Sequence, residues 1–254
     1  AGAARHPAGW IANARYTDAQ LRPLRRGKGF LPGETIVERM ELLGELQRLR
    51  TLIWEARVRV NDFLGKAVAL VRERFGGKIT YAAMPLEGVD WTAFDIISLD
   101  IYRSAEVADQ FASGIRSLVA QGKRVAITEF GCTTYTGAAD KGARGGEIIV
   151  WDQDAVIPLR LNGDYTRDED EQAVYVRELL EVFTQAGVDS AFVFTFVQYP
   201  LPHRADPDDD LDMASYGIVK VYEDRFGETY PAMHWEPKAA FTTLADYYQT
   251  LAAR

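Results

Sequence analysis

Three short apolar runs separated by amphipathic stretches limit this chain's fold more than any other feature of its sequence. Residues 94–102 (FDIISLDIY), 124–130 (RVAITEF) and 190–197 (SAFVFTFV) are nearly continuous in aliphatic, aromatic and β-branched side chains. A strand buried on both faces reads this way, whereas a strand with one wet face alternates. Residues 107–120 lie between the first two runs, with apolar side chains at helical spacing and Gly122 behind them. Residues 171–186, closed by Gly187, stand before the third run. Strand, helix, strand, helix, strand with buried strands predicts a parallel sheet with helices packed outside it, joined by right-handed crossovers. A β-prone run at 78–84 (KITYAAM) is expected to precede these, and a helix over 235–251 to follow them.

Two α/β architectures share that order: an open doubly wound sheet and a (β/α)8 barrel. No glycine-rich phosphate loop follows any of the runs, which disfavours a nucleotide-binding open sheet. The expectation is therefore a parallel (β/α) barrel-like fold, either a (β/α)8 TIM barrel or a partial barrel. In a barrel the chemistry sits at the C-terminal ends of the strands. Polar residues stand at those ends here: Glu87, Asp100 with Arg103, Glu129 and Gln198.

Ahead of the sheet, residues 34–75 read as helical. Ile36, Met40, Leu43, Leu46, Leu49 and Ile53 keep a three-to-four spacing, and Thr35 with Glu38 matches a capping box. A second helix is expected over 60–74, with Phe63, Leu64, Ala67, Leu70 and Val71 on one face and Gly76-Gly77 ending it. Residues 1–33 carry Arg5, Arg15, Arg22, Arg25, Arg26 and Lys28 against Asp18 alone. They read as a basic arm, poorly ordered as termini often are; an arm docking on an acidic partner is the sharper alternative. The domain reading is thus an arm over 1–33 and a barrel-like catalytic domain over 34–254.

Composition removes several classes. The net charge of −8 gives no general reason to seek nucleic acid or an anionic membrane. No run approaches the roughly 20 apolar residues of a membrane span, and no signal-peptide core is visible. The default location is cytoplasmic. Cys132 is the single cysteine, so neither an intrachain disulfide nor a cysteine zinc site is available. The three histidines, His6, His203 and His234, are too scattered in sequence to suggest a metal site. The acidic run 206–212 lacks the glycine and glutamate positions of an EF-hand and reads as a solvated loop. No cofactor and no metal are expected.

Glu129 is the strongest chemical candidate. It follows apolar residues at the mouth of an expected parallel strand, where an unpaired charge is costly to bury. Structural pairing with Arg103 or Arg124 is the plainer alternative. The segment 125–131 (VAITEFG) resembles the seventh strand of clan A glycoside hydrolases, retaining enzymes on (β/α)8 barrels. Val89-Asp-Trp91 with 94–102 resembles the passage into their sixth strand, 192–198 their eighth strand, and 235–241 the entry to their closing helix. The resemblance covers residues 78–254. It implies carbohydrate as substrate, Glu129 as nucleophile, Tyr102 as a hydrogen-bond support for it, and an aromatic platform after the last strand. Retention needs two carboxyl groups about 5–5.5 Å apart.

The second carboxyl group is where the chain departs from that pattern. The family's acid/base Glu ends the fourth strand, usually after Asn, and this chain has no Asn-Glu pair. Glu87 is the one in-chain candidate for acid/base. Asp100, Tyr102, Arg103, Tyr135, Gln198 and His203 are candidate substrate-binding or supporting residues, Arg103 by holding Glu129 ionised. The loop after Glu129, about 35 residues long and rich in glycine, is expected to be a substrate loop or disordered, with Tyr135 or Trp151 stacking on a sugar. Four strands without an obvious first half leave three readings open: a hydrolase fragment, a half-barrel that self-associates through open sheet edges, or an inactive carbohydrate-binding pseudoenzyme.

Overall fold

The computed structural model describes residues 36–152 and 157–253, with side chains from residue 46 onward. The expected basic arm and the Thr35 cap lie outside the described residues. The chain divides into two units, 1–63 and 64–254. In the first, the described residues form the beginning of α1 (Ile36–Arg72). The two helices expected over 34–75 are one unbroken helix, because no proline or glycine pair interrupts the sequence before Gly76-Gly77. Its buried side chains in the second unit are Leu64 and Val68, one turn apart, while Leu70 and Val71 are exposed. The face expected to pair Leu64 with Leu70 and Val71 is therefore centred one residue round, on Val68. The end of α1 is tied by Arg72, which donates to the Gly77 carbonyl and pairs with Asp95.

The second unit is a mixed α/β fold on a parallel sheet. Its three strands are β1 (Ile96–Asp100), β2 (Arg124–Phe130) and β5 (Ser190–Val193), in the order β1-β2-β5. Both pairings are parallel. The helices α2 (Ala108–Val119) and α3 (Glu169–Ala186) make the two crossovers. This order is compatible with a partial barrel; among the described residues the sheet has three strands and stays open.

The core forms because Ile97, Leu99, Val125 and Ile127 meet Phe111, Ile115, Leu179 and Phe183. Phe183 lies edge-on to Phe130 at 5.2 Å, a preferred geometry for aromatic pairs. The start of α3 is fixed by Asp168, whose carboxylate accepts from the Glu171 amide at 2.8 Å, and by three acidic residues in the first turn. Gly187 ends α3 in the left-handed region at φ 83°, where glycine carries no Cβ penalty.

Several expectations are corrected. Residues 78–84 form one β-bridge to β1, Ala83 to Leu99, with the Thr80 hydroxyl also on the Ile96 carbonyl, and form no strand; Pro85 starts a 3-10 turn immediately afterwards. The third apolar run is strand only as far as Val193. The chain then leaves β2, and Thr195 and Phe196 exchange backbone bonds with residues 216–219. Among its described residues, the long segment after β2 holds two 3-10 stretches and an antiparallel pair, β3 (Ile149–Asp152) with β4 (Ile157–Leu161). Residues 235–237 are strand rather than helix: β6 (Val219–Val221) pairs with β7 (Trp235–Pro237), and α4 (Ala239–Ala252) begins two residues later.

The acidic run is also not a solvated loop throughout. Asp206, Asp208 and Asp209 are exposed, but Asp210 and Asp212 are buried. Arg167 holds both, at 3.0 and 2.8 Å, and the fully buried Lys238 reaches Asp212 at 2.8 Å. Glu169 completes the group by accepting from Arg167 and Lys220. Buried charges persist when paired in this way.

Candidate functional site

The chemistry-bearing side chains gather where β1 and β2 end. Up to Leu99 and Ile127 the two strands pair residue for residue; beyond them Asp100 pairs with Glu129. β2 therefore carries one extra residue, a β-bulge, and the β2–β5 register shifts over the same stretch. Bulges re-aim side chains and recur beside active sites. Here the bulge sets Thr128 and Glu129 against Asp100. The Thr128 hydroxyl donates to Asp100 Oδ1 at 2.7 Å, and the Tyr102 hydroxyl donates to Glu129 Oε2 at 3.1 Å. The Ile101 amide donates to the Glu129 carbonyl at 2.8 Å, which fixes the backbone at that end.

Both carboxyl groups are half-buried and both hold their protons above the ordinary range. For Glu129 the causes are burial first and the nearby Asp100 second, opposed by the Tyr102 hydrogen bond. For Asp100 burial dominates and the Thr128 hydroxyl opposes it. The Tyr102 phenol is pushed up by burial and by Glu129. The expected pairing of Glu129 with arginine is not what forms. Arg103 pairs with Glu178 at 2.7 Å and lies over the Tyr175 ring, and Arg124 faces Asp189.

Around this centre, Tyr102 meets the Tyr216 ring edge-on at 5.8 Å. Tyr216 donates through its hydroxyl to the Gly142 carbonyl at 3.1 Å, and its amide donates to Gln198 Oε1 at 2.6 Å. Gln198 thus holds the segment behind Tyr102. Gly131 lies against the Phe194 carbonyl, and a Cβ there would sit 2.2 Å from that oxygen. That close approach is what lets residues 194–195 cross the end of β2.

The remaining sequence candidates stand apart. The Tyr81 phenol is pushed up to about 12, chiefly by burial, with Glu87 and Asp100 adding to it, and Glu87 Oε2 is buried without a hydrogen-bond partner. Tyr81 therefore lies near both Glu87 and Asp100. Tyr135 is no exposed platform: it is 3% exposed, packs edge-on to Tyr165 and donates to the Gly145 carbonyl at 3.2 Å. Trp151 is half-buried against the same core. His203 shares a contact with Asp210 at 3.0 Å and belongs to the buried ionic group. Sequence reasoning missed Thr128 and Tyr216; the first lies beside Glu129 in sequence, and the second carries no local signal. A cavity of about 480 Å³ between α2 and residues 84–91 is lined by neither Asp100 nor Glu129. Among the described residues no cluster of histidine, cysteine and acidic side chains could hold a metal, and no helix is long and apolar enough to cross a membrane.

The fold and the site together describe an α/β protein with a carboxyl pair at the C-terminal end of a parallel sheet. No family model matches the chain, and no curated protein matches it. Among solved structures it is similar to one described as a complex of a GH113 β-1,4-mannanase. The identity is 19% and the TM-score 0.49, over 88% of this chain and 67% of that one. A likeness at that level assigns no residue a role.

Proposed function

We propose that this chain is glycoside hydrolase-like and cleaves O-glycosidic bonds with retention, Glu129 being the nucleophile. The observation that carries the reading is the Glu129 carboxylate itself. It is half-buried at the C-terminal end of the central strand, and a tyrosine hydroxyl hydrogen-bonds it. No cation among the described residues neutralises it. A carboxylate so placed is available to a carbon electrophile.

In the proposed reaction Glu129 attacks the anomeric carbon as the bond to the leaving oxygen breaks, and an acid delivers a proton to that oxygen. Water, deprotonated by the same group, then releases the sugar. Glu87 is the proposed acid/base. Asp100 and Tyr102 would hold Glu129 in place. Arg103, engaged by Glu178, and Gln198, engaged by Tyr216, would support the walls rather than the sugar.

A second reading, a carbohydrate-binding pseudoenzyme, is favoured by one observation: the chain has no Asn-Glu pair to supply the acid/base that the resemblance implies. Hydrolysis of aryl glycosides by the purified chain separates the two. Turnover that disappears in Glu129→Gln, with the circular dichroism spectrum unchanged, supports the enzyme. Oligosaccharide binding by calorimetry without product supports the pseudoenzyme. Full activity in Glu129→Gln rules out the nucleophile assignment.

A further inference from the structure

The bulge in β2 does more than aim one side chain. Without it Asp100 would pair with Thr128, and Glu129 would fall opposite Ile101. With it, Asp100 and Glu129 are register partners on adjacent strands. Such partners lie about 4.8 Å apart and direct their side chains to the same face. The extra residue, Thr128, then places its hydroxyl on Asp100 at 2.7 Å, leaving Tyr102 to serve Glu129 at 3.1 Å. Each carboxylate has one neutral donor of its own.

We propose that Asp100 and Glu129 form one proton-sharing carboxyl pair, in which Asp100 is the positioning residue that sets when Glu129 ionises. The first proton goes to Glu129. Asp100 is the stronger acid by type, and its donor is the closer of the two. Two like charges this close cannot both form freely, so the protons leave in two steps that belong to the pair.

The groups facing the pair are few. Thr128 comes from β2 and Tyr102 from the end of β1. Tyr216 stands behind Tyr102, with its hydroxyl spent on Gly142. Tyr81 stands near Asp100 from residues 78–87 as a neutral phenol, its proton held by burial, by Glu87 and by Asp100 itself. Arg103, the nearest arginine in sequence, is spent on Glu178. Burial holds both protons high, and the Asp100 charge adds to it at Glu129, which is consistent with this set.

As a statement about catalysis the proposal rests on Glu129 being the nucleophile; as a statement about protons it does not. The test is a carbon-detected NMR titration of side-chain carboxyls in the full chain and its variants, with no glycoside present. In Asp100→Asn the Glu129 midpoint is expected to fall by on the order of one pH unit, because the like charge beside it is gone. In Glu129→Gln the Asp100 midpoint is expected to stay near its parent value, because Asp100 ionises first, opposite a Glu129 that is still neutral. Asp100→Ser carries the same test if Asp100→Asn fails to fold. An unmoved Glu129 midpoint in a folded Asp100 variant overturns the proposal, whatever the chain does to sugars. A lowered Glu129 midpoint in a chain that hydrolyses nothing keeps the pair and removes the glycosidase reading. Where there is turnover, the acid limb of kcat/KM in Asp100→Asn moves to lower pH.

Discussion

Tyr102 and Asp100 pull Glu129 in opposite directions. The phenol donates to the ionised carboxylate and favours it, while Asp100 disfavours it. In Tyr102→Phe the carboxyl group therefore keeps its proton to higher pH, and the acid limb of the rate profile should move up, opposite to Asp100→Asn. A hydrogen bond to a charged group is worth about 1.5–3 kcal/mol, so kcat/KM at neutral pH should fall by roughly 10- to 100-fold. A pH–rate profile of this variant that overlays the parent would show that the bond is a bystander. The same logic bears on stability. Both carboxyls have raised folded-state affinities for protons, so their contribution is full below the ordinary carboxylate range and is lost as pH rises through the folded values.

At the scale of elements, Gly131 is the tightest constraint near the site. A Cβ at this position would meet the Phe194 carbonyl at 2.2 Å, and that oxygen belongs to backbone that cannot rotate away. Gly131→Ala should cost about 3 kcal/mol through forced displacement, measured as a lower urea midpoint, and should disturb Tyr216 and Tyr102 with it. The sequence made the elements legible where burial is two-sided and loops are short. β2 runs over the residues its apolar pattern predicted, and α3 over nearly the same ones. It misled where a partner decides the outcome. The run 78–84 has strand-forming side chains but only one bridge to β1, and 194–197 leaves the sheet to pair with 216–219. Within the site, Glu129 and Asp100 stood out as acids ending apolar runs. Their pairing did not, because a bulge leaves no mark in a strand's composition. Tyr135, read as a sugar platform, packs inside because the segment after β2 folds around it.

The second unit as a whole is held by an ionic group that spans distant stretches of sequence. Arg167 precedes α3, Asp210 and Asp212 come from the loop after β5, and Lys238 stands between β7 and α4. Lys238 also donates to Thr134 at 2.8 Å, within the segment that follows β2. Replacing it with methionine keeps volume but leaves Asp212 to Arg167 alone. Breaking a buried pair costs about 3–5 kcal/mol; with one partner retained, Lys238→Met should lose roughly the lower figure, read from thermal or urea unfolding. A variant as stable as the parent would mean that methionine packing offsets the lost pair. The Tyr216 ring resting on Tyr102 has a consequence for the nascent chain. Ribosomes add roughly 5–20 residues per second, so Glu129 leaves the tunnel several seconds before Tyr216 is made. During that interval the carboxylate lacks the ring that stands behind Tyr102. The proposed site is complete only with the late arrival of a residue far downstream, which ties it to the second unit as a whole rather than to the strand that bears the acid.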